Sequence, residues 1–156
     1  MERKKITFKI NGEEKTLEVE PNKTLLWLIR EELKLKGTKR ACERGDCGLC
    51  TVLLNGEPVK SCLVLAVEVD GSEIITVEGL ARNGELTPLQ RAFIEHGALQ
   101  CGFCTPAFLI VGHWLINRNP RPSREEVIEA LNGVLCRCTG YRSIIDAILS
   151  VTKTEK

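Results

Sequence analysis

Eight cysteines carry the reactive chemistry of this chain, and their spacing divides them into two groups of four. The first group is Cys42, Cys47, Cys50 and Cys62, in the pattern C-x4-C-x2-C followed by a more distant fourth member. Thiolates serve zinc sites, iron–sulfur clusters and redox dithiols, so three chemistries compete. Structural zinc draws its ligands from two separated knuckles, and only Cys47 and Cys50 make one here. A redox dithiol would use that same pair and leave Cys42 and Cys62 idle. Haem attachment needs His directly after the second Cys, where Thr51 stands. The full spacing is that of a 2Fe-2S cluster. Gly45 and Gly48 lie inside the loop, where glycine permits positive φ and lets N–H groups approach sulfur.

The second group is Cys101-x2-Cys104 and Cys136-x-Cys138. Two separated short pairs suit zinc as well as an iron–sulfur cluster, and spacing leaves both open. Arg137, between the last two cysteines, is either a cationic neighbour of a negatively charged cluster or a solvent-facing charge. His96 and His113 read as polar helix-face residues rather than ligands, and Trp27 and Trp114 as core. The carboxylates form no paired acid/base site. No phosphate-binding loop, dinucleotide fingerprint or nucleophile elbow occurs, so flavin, nicotinamide and a catalytic metal belong in another chain.

These cysteines must be positioned by two kinds of element. Up to residue 79 the pattern is of strands and turns: alternation over Lys5–Ile10 and Lys15–Val19 around Asn11-Gly12, then Thr51–Leu54 and Val59-Lys60 around Asn55-Gly56, then a strand over Ile74–Val77. Between the hairpins Thr24 caps a helix with an apolar stripe of Leu25, Leu28, Ile29 and Leu33, ending at Gly37. After Gly79 the period becomes helical. Thr87-Pro88 and Thr105-Pro106 are start signals, Ser123 with Glu126 is a capping box, and Ile144 to Leu149 marks a last amphipathic helix.

A length of 156 residues allows one domain or two very small ones, which a metal centre in each would help to stabilise. With 22 Lys and Arg against 21 Asp and Glu, the balance excludes a strongly electrostatic nucleic-acid binder. Arg3-Lys4-Lys5 reads as a solvated strand edge. The first residues hold no continuous apolar stretch of the kind that directs export, and no run approaches 18 apolar residues. The expectation is a cytoplasmic protein without a membrane span, where paired cysteines serve metals rather than disulfides.

Taken together, Cys42-Glu43-Arg44-Gly45-Asp46-Cys47-Gly48-Leu49-Cys50, Ser61-Cys62-Leu63, Thr76-Val77-Glu78-Gly79-Leu80-Ala81, Gln100-Cys101-Gly102-Phe103-Cys104-Thr105-Pro106 and Cys136-Arg137-Cys138-Thr139-Gly140-Tyr141 resemble the small iron–sulfur subunit of the molybdenum hydroxylases. These include the xanthine dehydrogenases, aldehyde oxidoreductases and carbon monoxide dehydrogenases. The likeness runs over nearly the whole chain and assigns the second group to an iron–sulfur cluster as well. It implies an α+β fold: a β-grasp ferredoxin-like domain over 1–79, then a four-helix 2Fe-2S-binding domain over 80–156. It implies Cys42, Cys47, Cys50 and Cys62 as ligands of one 2Fe-2S cluster and Cys101, Cys104, Cys136 and Cys138 as ligands of the other, with Gln100 touching the pterin and Cys138 close to it. Partners follow: a large subunit with molybdopterin cytosine dinucleotide, a medium subunit with FAD, and assembly as a dimer of heterotrimers. The rival function is a free-standing ferredoxin-like carrier. Ala41, Leu49, Thr87, Ala107 and Gly133-Val134 depart from the common family pattern without removing a ligand.

Overall fold

The computed structural model describes residues 2–81 and 83–152; Met1, Arg82 and 153–156, which fall within the two expected domains, lie outside the described residues. Strands β1 (Lys4–Ile10) and β2 (Glu13–Val19) form the first hairpin. Asn11 and Gly12 take φ of 51° and 86°, the left-handed pair that matches strand twist. Alternation buries Ile6, Phe8 and Ile10 on one face. A second hairpin, β3 (Thr51–Leu54) and β4 (Glu57–Lys60), turns at Asn55-Gly56 in the same way.

The strand expected over residues 74–77 is shorter: β5 spans Glu73–Ile75. Thr76 leaves the ladder because its N–H donates to the Asn11 side-chain carbonyl at 2.9 Å and its hydroxyl to Glu78, and Val77–Gly79 tightens into a 3-10 turn. The sheet order is β2-β1-β5-β3-β4, with β1 parallel to β5. Lys4 and Lys5 begin β1, where they pair only with Val19 and Glu18 of β2, since β5 meets β1 at Lys9 and Ile10; their side chains are exposed.

Thr24 caps α1 (Leu25–Trp27) by accepting the Trp27 N–H. The helix does not reach Gly37. It widens into a π-helical segment, Leu28–Glu32, closed by Leu33 N–H to the Leu28 carbonyl, and Lys34 at φ 58° stops it. Leu25, Leu28 and Ile29 still cross the sheet and are fully buried against Phe8, Val52 and Ile74. This sheet with one helix across it is the β-grasp arrangement.

The second half holds α2 (Pro88–Glu95), α3 (Thr105–Arg118), α4 (Arg124–Leu131) and α5 (Arg142–Thr152). Thr87 with Gln90 and Ser123 with Glu126 form reciprocal capping boxes. The tryptophans, expected in the core, are half-buried and pack against its margins, Trp27 beneath Lys23 on the sheet-half cluster and Trp114 on the helical-half cluster, donating its indole N–H to Glu57. Leu49 and Leu53 from the first half join Phe108, Leu115 and Val134 of the second in one apolar cluster.

Helices α4 and α5 are also tied by Arg124 to Asp146 at 2.7 Å. The hydrogen bond from Arg124 holds the Asp146 carboxyl below its ordinary value, and the Ser123 N–H and hydroxyl do the same for Glu126. Both depressed carboxyls add stability above their unfolded pKa of about 4, and it is lost as pH falls through the lower folded values. Thermal unfolding followed by circular dichroism is expected to show a steeper loss of Tm below about pH 4 for the native chain than for Asp146→Asn. Equal acid slopes would remove this linkage.

Candidate metal centres

The first cysteine loop is shaped from several directions. Arg30 donates to the Thr38 carbonyl, Lys60 donates to the Gly45 carbonyl at 2.5 Å, and the Thr51 hydroxyl donates to the Gly48 carbonyl at 2.6 Å. Glu43, Gly45 and Gly48 all have positive φ, which curls the chain around Cys42. The Cys47 N–H thereby reaches Cys42 Sγ at 3.4 Å. Cys62 arrives from the far side on the 3-10 turn Ser61–Leu63, where the Ser61 hydroxyl donates to the Cys50 carbonyl.

In the second half Cys104 itself is the N-cap of α3, and Thr105, expected to cap, is the first helical residue. The Cys104 side chain makes no capping hydrogen bond and faces Cys136 instead. Cys136 accepts from the Thr139 N–H at 3.4 Å and lies 3.0 Å from its hydroxyl. The Cys138 thiol donates to Cys101 Sγ at 3.5 Å.

The eight thiols thus fall into four couples: Cys42 with Cys47, Cys50 with Cys62, Cys104 with Cys136, and Cys101 with Cys138. Cys50, Cys62, Cys104 and Cys136 are buried, while Cys101 and Cys138 are exposed. Their proton affinities diverge accordingly. Backbone N–H groups of Arg44 and Cys47 lower Cys42 to about 6, and the Phe103 N–H lowers Cys101. Burial pushes Cys62 up to about 11 and Cys104 up to about 12, with the neighbouring cysteine adding to each. Cys136 is lowered although burial opposes it, because Thr139 donates twice to its sulfur. The Cys101 side chain raises Cys138.

Among the described residues no three Cys, His, Asp or Glu side chains converge on a single ion. Couples rather than a closed tetrahedron fit a two-iron group, which takes two thiolates at each iron. The N–H donors at Cys42 and Cys136 meet the need of a negatively charged cluster. The Thr105 hydroxyl, buried beside Cys104 without a partner among the described residues, leaves one more donor.

The two groups also touch, which sequence spacing did not reveal. The Leu135 N–H, adjacent to Cys136, donates to the Cys47 carbonyl at 2.9 Å. Gly48 lies against the Gly133 carbonyl so closely that a Cβ there would stand 1.8 Å from it. Gln100 is exposed next to exposed Cys101, and Arg137 is exposed beside Cys138. His113 lies on α3, its Nε2 2.9 Å from the Asn117 amide, and His96 ends α2.

Fold and couples define a protein built around two 2Fe-2S sites. A family described as a 2Fe-2S iron-sulfur cluster binding domain matches residues 8–81, and one described as a 2Fe-2S binding domain matches 76–149. The chain is 51% identical to the nicotine 6-hydroxylase small subunit of Paenarthrobacter nicotinovorans over 95% of its own length and 89% of that protein. It is 47% identical to the nicotinate dehydrogenase small FeS subunit of Eubacterium barkeri, covering 92% of this chain and 91% of the relative. Crystalline quinoline 2-oxidoreductase from Pseudomonas putida 86 contains a chain that superposes with a TM-score of 0.94 at 47% identity, covering 97% of this chain and 94% of that one. The chain belongs to the small iron–sulfur subunits of the molybdenum hydroxylase family, and two 2Fe-2S clusters are its cofactors.

Proposed function

We propose that this chain, within an electron-transfer complex, connects a molybdopterin cytosine dinucleotide centre in a large subunit to FAD in a medium subunit. Cys42, Cys47, Cys50 and Cys62 hold the cluster on the flavin side, in a unit spanning 1–79. Cys101, Cys104, Cys136 and Cys138 hold the cluster on the molybdenum side, in a unit spanning 80–156. Each bound cluster supplies storage and transfer of a single electron. The complex is a cytoplasmic dimer of heterotrimers. Among the described residues no helix is long and apolar enough to cross a membrane.

One observation carries this reading. Gln100, Cys101 and Cys138 form an exposed face, with the large apolar side chains of Leu99 and Phe103 also exposed beside them. Apolar side chains grouped around two thiol ligands call for cover by a partner. The Gln100 amide can both donate and accept, which suits the polar edge of a pterin. Cys104 and Cys136 lie on the buried side, toward the first group.

The test is purification from the native source, with the expectation of two distinct electron paramagnetic resonance signals after reduction and co-elution with a molybdenum-containing large subunit. Elution alone with both clusters intact would favour the free-standing carrier. Replacing Gln100 with Ala is expected to leave both signals in place and slow their reduction by substrate about tenfold, the loss of roughly one hydrogen bond. Loss of a cluster in that variant would show that Gln100 is structural instead. The three relatives named above are called after nicotine, nicotinate and quinoline, so we assign nitrogen heterocycles to the large subunit's active site. A screen in which only aldehydes turn over would reject that assignment.

A further inference from the structure

We propose that Tyr141 is a positioning residue for the bridge between the two cluster sites, its hydroxyl shaping the turn that presents the Leu135 N–H to the Cys47 carbonyl. The proposal rests on the reading that Cys47 and Cys136 are cluster ligands. The Tyr141 hydroxyl accepts the Cys136 N–H at 2.9 Å and donates to the Val134 carbonyl at 3.3 Å. Those groups flank Leu135 on either side. With both drawn to the phenol, the Leu135 N–H between them is free to point across to Cys47, 2.9 Å away. The Leu135 side chain is largely exposed, so this residue's structural contribution is made by its backbone.

The tyrosine is itself held in an unfavourable conformation. Its φ is 69°, which bulky L-residues avoid and which persists only where the surroundings over-determine it. Three constraints do so here. Gly140 before it is also left-handed, the Tyr141 N–H donates to the Thr139 hydroxyl at 3.2 Å, and the ring packs edge-on against buried Phe108 with centroids 5.9 Å apart. The same Thr139 hydroxyl lies 3.0 Å from Cys136 Sγ, so the turn that strains Tyr141 also orients a ligand. Strain of this kind at a ligand turn marks function more than stability.

The bridge joins a ligand residue of one group, through one hydrogen bond and one intervening residue, to a ligand of the other. A single electron passing between bound clusters by this route would leave the donor site oxidised by one and the acceptor site reduced by one. Tyr141→Phe keeps the ring and deletes both hydroxyl bonds. In the purified complex it is expected to retain both paramagnetic signals, weaken their mutual splitting at low temperature, and raise the hydrogen-exchange rate of the Leu135 amide about tenfold. Ile148→Val, a core change away from the bridge, is expected to lower Tm while leaving splitting and Leu135 exchange unchanged. Unchanged splitting and exchange in Tyr141→Phe, or equal changes in Ile148→Val, would overturn the proposal. Should Tyr141→Phe lose iron, the unsubstituted complex decides: slow Leu135 exchange upholds the bridge and exchange at the rate of an open amide overturns it.

Discussion

Alanine at position 48 is expected to lower stability by about 3 to 5 kcal/mol and to remove the paramagnetic signal of the first cluster. The new Cβ would stand 1.8 Å from the Gly133 carbonyl oxygen, 2.8 Å from its carbon and 3.1 Å from the Val134 Cα. All three neighbours are backbone, so no rotamer change relieves the overlap; either the Cys47–Cys50 turn or the Gly133–Leu135 turn must move. Position 48 also has a φ of 68°, adding the left-handed strain of an L-residue, about 1 kcal/mol or more. Gly56→Ala separates the two effects. It shares a left-handed φ of 85°, but nothing lies within 4 Å of its added Cβ. That variant is expected to lose only about 1 kcal/mol and no iron. Equal Tm losses in the two variants would mean that the loops do not meet as described.

Serine at position 104 is expected to reduce the iron content from about four to about two per chain, to abolish one of the two signals, and to destabilise the helical half. Serine is a favoured N-cap, so the start of α3 survives the change. What is lost is the sulfur buried against Cys136 that is proposed as a ligand. The experiment therefore separates the observed capping position of Cys104 from its proposed role as a ligand. Metal analysis with spectroscopy checks it, and full iron content with both signals intact would remove Cys104 from the ligand set.

The features readable from sequence were those written in short stretches of chain. Asn11-Gly12 and Asn55-Gly56 announce hairpins because both turn residues must be left-handed, and Ser123 with Glu126 announces a helix because both halves of the cap lie within one turn. The cysteine groups were legible for the same reason. Where a local signal competed with tertiary contacts, it misled. Thr105 ahead of Pro106 looks like a cap, but Cys104 takes that place with its side chain turned to Cys136, a partner far along the chain. The stripe Leu25 to Leu33 looks like an ordinary helix, yet burying Leu28 and Ile29 together goes with a widened turn that ends early. The couples and the Leu135–Cys47 bond had no local signature. The one available hint was Tyr141, a bulky residue directly after Gly140 in a cysteine turn.

The close approach of Gly133 and Val134 to Gly48 has an electrostatic consequence as well. In this small sheet the first cluster loop would stand at the surface, but the turn leading into Cys136 roofs it. Cys47, which shares an apolar cluster with Val134 and Cys136, is left only 9% exposed. Solvent exposure and nearby dipoles are among the main settings of an iron–sulfur potential. The helical half therefore acts as a dielectric lid for the sheet half, and a substitution in the turn before Cys136 will shift the potential of the cluster it does not ligate.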